Sequence, residues 1–184
     1  PYLCLGSGRL LRMPDGRLVD PYLVGVVEAV GSHCVLLSSA RDDCSKGCTA
    51  HFASERLWPL LSLAHRLGEG VARRSETFRS VADEVGAEVE KLTGRQVDVR
   101  KWLAHEFARW KYASRVWRII FGLLRPDVIV LSAAYARQHV VAAARASGVR
   151  VVEIQHGVIT GKHFGYVKTR ARPHFCIERL LTWG

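Results

Sequence analysis

The chain has 184 residues, of which 48% are hydrophobic and 24% charged, so it holds enough apolar side chains for a folded domain, and disordered or collagen-like classes are excluded. Its formal charge of +10, from 27 Lys and Arg against 17 Asp and Glu, favours partners that carry phosphate groups. The longest apolar runs are shorter than the roughly 18–20 residues that cross a bilayer, so we predict no transmembrane segment.

The first half of the chain reads as a strand followed mainly by helices. Tyr2–Leu5 is an apolar run that ends at a Gly-Ser-Gly sequence, and Met13–Gly16 has the composition of a turn. Asp20-Pro21 predicts a helix over 22–30, with Asp20 as the N-cap. We then expect a strand over 33–37, a polar loop over 39–55 and helices over 58–67 and 75–92.

The second half alternates helices and strands. Apolar residues spaced by three, four or seven positions predict one long helix over 97–124, which Pro126 ends. The β-branched run 127–132 is apolar on both faces, as in a covered parallel strand. A helix over 135–147, a strand over 149–154, a loop over 160–173 and a short strand over 180–183 complete the prediction.

This alternation predicts a fold class and the location of a site. It favours a single Rossmann-like α/β domain over 1–184, with a mainly parallel sheet and helices on both faces. Ligands of such sheets bind beyond the carboxyl ends of the strands. The loops expected there are 6–12, 132–135 and 155–166.

Five cysteines are present, and this odd number favours a reducing, cytoplasmic location. Cys4 and Cys34 lie in strand-like runs, where cysteine behaves as a small hydrophobic residue. Cys44, Cys48 and His51 could supply three metal ligands, but the spacing is CxxxC and no second pair follows. We therefore predict no metal site.

The glycines after the first strand resemble a dinucleotide fingerprint only in part. Leu11 stands at the third glycine position, and a turn follows in place of a helix, so NAD binding is not predicted. The glycines can instead let the backbone pass close to a ligand or a facing domain. The substrate-binding residues predicted here are Gly6, Ser7, Gly8, Arg9 and Arg12. Ordinary surface arginines are the alternative for the last two.

Polar residues also lie at the end of the strand over 149–154. Glu153 and Gln155 are two positions apart, on one face of a strand whose neighbours should be apolar, which is costly unless they have partners. His156 follows on the opposite face, and Gly157 permits a sharp exit. A histidine there can act as a general base or bind a phosphate, or it can satisfy backbone groups of the turn.

The next loop combines a cation, an imidazole and aromatic rings. Lys162, His163 and Tyr166, with Phe164 and Gly165 between them, can stack a sugar or base and hold its phosphate. We predict Lys162, His163 and Tyr166 as substrate-binding residues. A flexible loop that caps the pocket would have the same composition.

Three segments carry a resemblance to a known family. They are LCLGSGRLLRMPDGRLVDPY (3–22), VVEIQHGVITGKHFG (151–165) and the terminal LLTWG (180–184). Together they resemble the N-terminal half of bacterial glycosyltransferases of the GT-B type that build capsule and surface polysaccharides. Residues 39–120 match only in helical character.

The resemblance implies a two-domain enzyme of which this chain is the acceptor-side half. A C-terminal domain would bind the nucleotide-sugar donor, and the half alone would be inactive. No cofactor or catalytic metal is implied, because helix dipoles and basic residues stabilise the departing phosphate. By position, His156 is the candidate base for the acceptor hydroxyl, while Glu153 or Gln155 would orient a glycan or lipid-linked acceptor or brace the loop.

Two other functions fit the same sequence. One is a non-catalytic Rossmann-like module that binds an anionic lipid, a nucleotide or a partner protein. Nucleic-acid binding is less favoured, because an apolar core stripe explains the aromatic and basic pattern of 100–118 equally well. We also expect contact with anionic membranes at the inner face of the plasma membrane, through the basic helix and its tryptophans Trp102, Trp110 and Trp117.

Overall fold

The computed structural model describes residues 1–45, 48–155, 157 and 177–182. It divides into two compact units. Unit 1 consists of Pro1–Trp58 and Trp117–Gly184, and unit 2 is Pro59–Val116. The single domain expected over 1–184 stays a prediction.

The described part of the chain contains eight strands and six α-helices. The strands are β1 (Tyr2–Leu5), β2 (Leu11–Arg12), β3 (Leu18–Val19), β4 (Cys34–Ser38), β5 (Ala50–Ala53), β6 (Val128–Ser132), β7 (Arg150–Ile154) and β8 (Arg179–Leu181). The helices are α1 (Val24–Val30), α2 (Trp58–Arg74), α3 (Glu76–Thr93), α4 (Val99–Ala108), α5 (Ser114–Leu124) and α6 (Gln138–Ala146).

Unit 1 is built on a six-stranded parallel sheet with the order β5-β4-β1-β6-β7-β8. The chain leaves β1 towards β4 and β5, and later returns on the other side of β1 to form β6, β7 and β8. The strand order therefore reverses between β1 and β6. The predicted α/β class and parallel strand order are confirmed, and the topology is consistent with a Rossmann-like fold.

Both faces of the central strands of this sheet are buried. One face carries Cys4, Leu36 and Val130, which pack with Val27 of α1 in a common core cluster. The other carries Leu3, Ile129 and Leu131, each at most 1% exposed. Because right-handed crossovers that run in opposite directions place their helices on opposite faces, α1 and α6 cover different sides.

The predicted turn over 13–16 is confirmed, and it joins β2 and β3 in a short hairpin. Three other sequence predictions for unit 1 need correction. The predicted polar loop 39–55 contains the edge strand β5, which pairs with β4. The first helix begins at Val24, and Asp20 does not cap it, because its carboxylate instead accepts from the N–H groups of Ser7 and Tyr22. The helix predicted over 135–147 begins with a 3₁₀ turn at Ala134–Arg137.

Unit 2 is entirely helical. Its helices α3 and α4 begin at the side-chain caps Ser75 and Asp98, whose oxygens accept backbone N–H groups one turn ahead. A bidentate ion pair joins the two helices, with Arg100 Nε and Nη2 at 2.6 and 2.7 Å from the carboxylate of Asp83. The single helix predicted over 97–124 is wrong in one respect, because a π-helical turn over Arg109–Ala113 interrupts it.

Among the described residues, no helix combines the length and the hydropathy needed to cross a bilayer.

Candidate functional site

The reversal of strand order between β1 and β6 defines the candidate site. In open α/β sheets, ligands bind where two neighbouring connections leave the carboxyl edge in opposite directions, because the backbone opens a crevice there. In this chain the topology places that crevice between the residues after β1, beginning with Gly6, and those after β6, beginning with Ala133.

Gly6 is needed for strand packing at this edge. Its N–H donates to the carbonyl of Leu37 at 2.8 Å, which extends the β1–β4 pairing by one residue. A Cβ on Gly6 would lie 2.7 Å from Cβ of Ser38, too close for any side chain. The close approach expected for this glycine is therefore made to the neighbouring strand.

Asp20 holds the loop that follows. Its buried carboxylate accepts the N–H of Ser7 at 2.5 Å and that of Tyr22 at 3.0 Å. This ties the first residues after β1 to the segment that enters α1. Sequence reasoning missed this role, because an Asp before Pro is typical of a helix N-cap.

Arg137 crosses the crevice from the β6 side. Its Nη2 donates to the carbonyl of Gly6 at 2.5 Å and its Nη1 to that of Leu5 at 3.3 Å. Burial lowers the pKa of this guanidinium, and the negative charge of Asp20 opposes that shift. A half-buried cation thus lies at the carboxyl end of β1, a feature that no sequence pattern indicated.

The connection after β6 is conformationally strained and braced by β7. Ala133 has φ +53° and ψ +53°, a left-handed conformation that is unusual for a residue with a Cβ. The following N–H, of Ala134, donates to Oε1 of Glu153 at 2.9 Å. Glu153 is only 1% exposed, so the polar side chain singled out in the strand has its partner inside the protein.

Gln155 lies just beyond β7, at the same edge of the sheet. Its N–H donates to the carbonyl of Leu181, and its side-chain Nε2 donates to the carbonyl of Gly157 at 2.7 Å. The side chain of Gln155 is therefore tied to the backbone two positions ahead. His156 itself lies outside the described residues, as do Lys162, His163 and Tyr166.

The other predicted residues after β1 are more exposed. Gly8 has φ +81°, and the N–H of Arg9 donates to Oγ of Ser7 at 3.0 Å, which fixes a tight turn. Arg12 lies in β2 and makes a long contact of 3.5 Å with the carbonyl of Gly16. The structure thus brings Gly6, Ser7 and Gln155 to the carboxyl edge and places Arg12 on the hairpin.

Ser38 and His51 form another polar pair near this edge. Ser38 ends β4, and its Oγ lies 3.1 Å from Nε2 of His51 on β5. His51 is thus engaged with a hydroxyl group, and Cys48 Sγ donates to the carbonyl of Cys44 at 3.8 Å. Among the described residues, Cys44, Cys48 and His51 do not form a group of potential metal ligands.

Several basic side chains of the helical segments contact other side chains of the protein. Arg109 pairs with Glu106 at 2.9 Å, while Lys111 and Arg115 lie over the rings of Phe107 and Tyr112. Trp102 is 59% exposed, whereas Trp117 is only 8% exposed and its ring lies tilted against that of Phe121. Of the tryptophans expected to contact a membrane, Trp117 therefore belongs to the protein core. Contact with a membrane stays a prediction.

A cationic pocket of about 470 Å³ lies at the opposite edge of the sheet. It is lined in part by Arg118, Arg125 and Arg150, near the amino ends of β6 and β7. Ligands of parallel sheets bind at the carboxyl edge, so we do not assign the substrate to this pocket.

Comparisons of this chain with protein-family models, with curated proteins and with solved structures found no match.

Proposed function

We propose that this chain is the acceptor-side domain of a glycosyltransferase that builds a surface polysaccharide. The observation that carries the proposal is the reversal of strand order between β1 and β6, the place where open α/β sheets bind ligands. The loop after β1, which resembles that of the glycosyltransferase family in sequence, lies beside it, and the strand that precedes the family-like Gln-His-Gly sequence ends at the same edge. Segments far apart in the sequence thus share one edge of the sheet.

The geometry supports different roles for the two polar residues of β7. Glu153 braces the strained connection at Ala133, because its carboxylate is buried and bonded to the N–H of Ala134. Gln155 lies beyond the strand, and its side chain donates to the carbonyl of Gly157. In the proposed reaction both are positioning residues.

His156 is the proposed base. The acceptor hydroxyl would give its proton to the imidazole as its oxygen forms a bond to the anomeric carbon of the donor sugar. The bond between that carbon and the nucleotide diphosphate breaks, and the diphosphate leaves with the electron pair. A C-terminal donor domain would supply the nucleotide sugar, and basic groups would stabilise the leaving phosphates.

The test is sugar transfer by the complete protein that contains this chain, assayed with a panel of radiolabelled nucleotide sugars and lipid-linked acceptors. His156→Ala should lower the rate on the order of 10²–10⁴-fold. The matched control is His33→Ala, since His33 is an exposed histidine next to the amino end of β4, at the opposite edge of the sheet.

Two results would contradict the proposal. Activity of His156→Ala within about threefold of the parent would remove its assignment as the base. A complete protein that binds nucleotide or anionic lipid, but transfers no sugar from any donor, would favour the non-catalytic module.

A further inference from the structure

Unit 2 contains a cluster of two imidazoles and one carboxylate that the proposed glycosyl transfer does not use. His65 and Glu69 are four residues apart on α2 and therefore share one face of the helix. His105 faces them from α4, with its Nδ1 3.3 Å from Oε1 of Glu69. One ligand atom from each of the three residues lies within 4.8 Å of the others.

The histidine on α2 has an unused buried nitrogen. Nδ1 of His65 is shielded from solvent and has no hydrogen-bond partner within the described part of the chain. A buried polar atom usually has a partner, because leaving it without one costs free energy. The His65 ring also stacks on the ring of His105, with centroids 5.0 Å apart, so nitrogen atoms from both helices are brought together.

We propose that His65, Glu69 and His105 bind a zinc-like divalent transition-metal ion that links α2 to α4. Two imidazoles and a carboxylate are a donor set typical of zinc, with water in the fourth position. Nitrogen donors of this kind disfavour Mg²⁺ and Ca²⁺, which prefer oxygen ligands. The site is distinct from the carboxyl edge of the sheet and does not depend on the proposed function.

The cluster needs only a modest side-chain movement to close around an ion. Ligand atoms at 2.0–2.1 Å from a tetrahedral zinc ion are about 3.4 Å apart, so the longest gap must shrink by about 1.4 Å. The His105 side chain is 52% exposed and can rotate. Arg73 lies 3.7 Å from Glu69 Oε2, but its side chain is 63% exposed and can move into solvent when a cation binds.

The experiment is a titration of the chelator-treated 184-residue chain with Co²⁺, followed by displacement with Zn²⁺. We expect one equivalent of Co²⁺ to give visible absorption of a four- or five-coordinate ion without a thiolate charge-transfer band. Zn²⁺ should abolish that absorption and raise the melting temperature, because it binds only the folded state.

Variants then locate the site. Glu69→Gln and His105→Gln should each weaken Co²⁺ binding by at least about tenfold. The matched control is Glu88→Gln, which removes an exposed helical carboxylate that pairs with Lys91 in the same unit and should leave binding unchanged. Circular dichroism shows whether each variant is folded. His105 is exposed, so His105→Gln should fold even if Glu69→Gln does not, and it then tests the site alone.

Three results would overturn the proposal. They are the absence of stoichiometric Co²⁺ uptake, a thiolate band that assigns the ion to cysteines, and binding by a folded His105→Gln variant equal to that of the parent.

Discussion

The buried carboxylate of Glu153 accepts the N–H of Ala134 at 2.9 Å, which fastens β7 to the strained connection after β6. This contact connects the polar residue of an otherwise apolar strand to one side of the crevice. Because Ala134 is buried, the loss of this contact would remove a hydrogen-bond acceptor from its N–H group.

The Glu153 contact predicts different outcomes for two substitutions. Glu153→Gln keeps an acceptor oxygen of the same reach and should change the free energy of unfolding by less than about 1 kcal/mol. Glu153→Leu deprives the Ala134 N–H of that acceptor and should lower stability by about 1–3 kcal/mol. Urea unfolding measures both, and equal stability of Glu153→Leu and the parent would show that the contact is unimportant.

Gly68 and Gly70 form a matched pair on α2. A Cβ at Gly68 would lie 2.8 Å from Cα of Ala108 and 2.7 Å from the ring of Tyr112, whereas a Cβ at Gly70 meets nothing within 4 Å. Gly68→Ala should therefore destabilise the protein by about 1–3 kcal/mol through overpacking. Gly70→Ala should stabilise it by up to about 1 kcal/mol through helix propensity.

Thermal unfolding followed by circular dichroism distinguishes the two glycine variants. If Gly68→Ala is as stable as Gly70→Ala, then the close approach between α2 and the segment containing Ala108 is wrong.

Two thiols should be unreactive in the native protein. Burial raises the pKa of Cys44 and that of Cys48 to about 12, with Asp42 adding to the shift of Cys44. Because the thiolate is the nucleophile, alkylation by iodoacetamide at pH 8 should be at least about a hundredfold slower than in urea. Peptide mass spectrometry measures each site, and native labelling at the denatured rate would contradict the burial of these residues.

The ion pair between Asp83 and Arg100 predicts a pH dependence in unit 2. The hydrogen bonds and charge of Arg100 lower the pKa of the Asp83 carboxyl below its ordinary 3.8. A lowered carboxyl pKa contributes stability above the unfolded value, and that contribution disappears as the pH falls through the folded value. The difference in melting temperature between the parent and Asp83→Asn should therefore shrink below about pH 4.

Salt provides the control for this ion pair. The pair is exposed, so the difference in melting temperature between the parent and Asp83→Asn should be small at pH 7. It should decrease further as salt is added. A difference that persists unchanged at pH 2 would show that charge is not its cause.

The sequence predicted the central strands because their residues satisfy a simple physical condition. Strands β1, β4 and β6 are almost entirely apolar on both faces, as burial in a parallel sheet requires, and β7 departs from this pattern at Arg150 and Glu153. Strand β5 was missed because Ala-His-Phe-Ala has neither that run nor an alternating pattern, and it forms only by pairing with the edge of β4. The two-residue strands of the hairpin are too short for any periodicity.

The sequence predicted the edge of the sheet at which the candidate site lies, but not the side-chain contacts that form it. The site's place at the carboxyl edge follows from the parallel direction of the strands, which the alternation of elements predicted. The roles of Asp20 and Arg137 depend on contacts across 13 and 131–132 positions of the chain, and local patterns carry no signal for such contacts. The division into two units was also hidden, because helices of both units have the same amphipathic spacing.

The most direct measurement is an amide NMR titration of the ¹⁵N-labelled chain with a water-soluble glycosyl diphosphate. An acceptor site at the β1–β6 crevice predicts shifts for the amides of Ser7, Ala134 and Gln155, while those of Val149 and Arg150 at the opposite edge stay unchanged. Shifts confined to Val149 and Arg150, or to unit 2, would contradict the assignment of the acceptor to the carboxyl edge of the sheet.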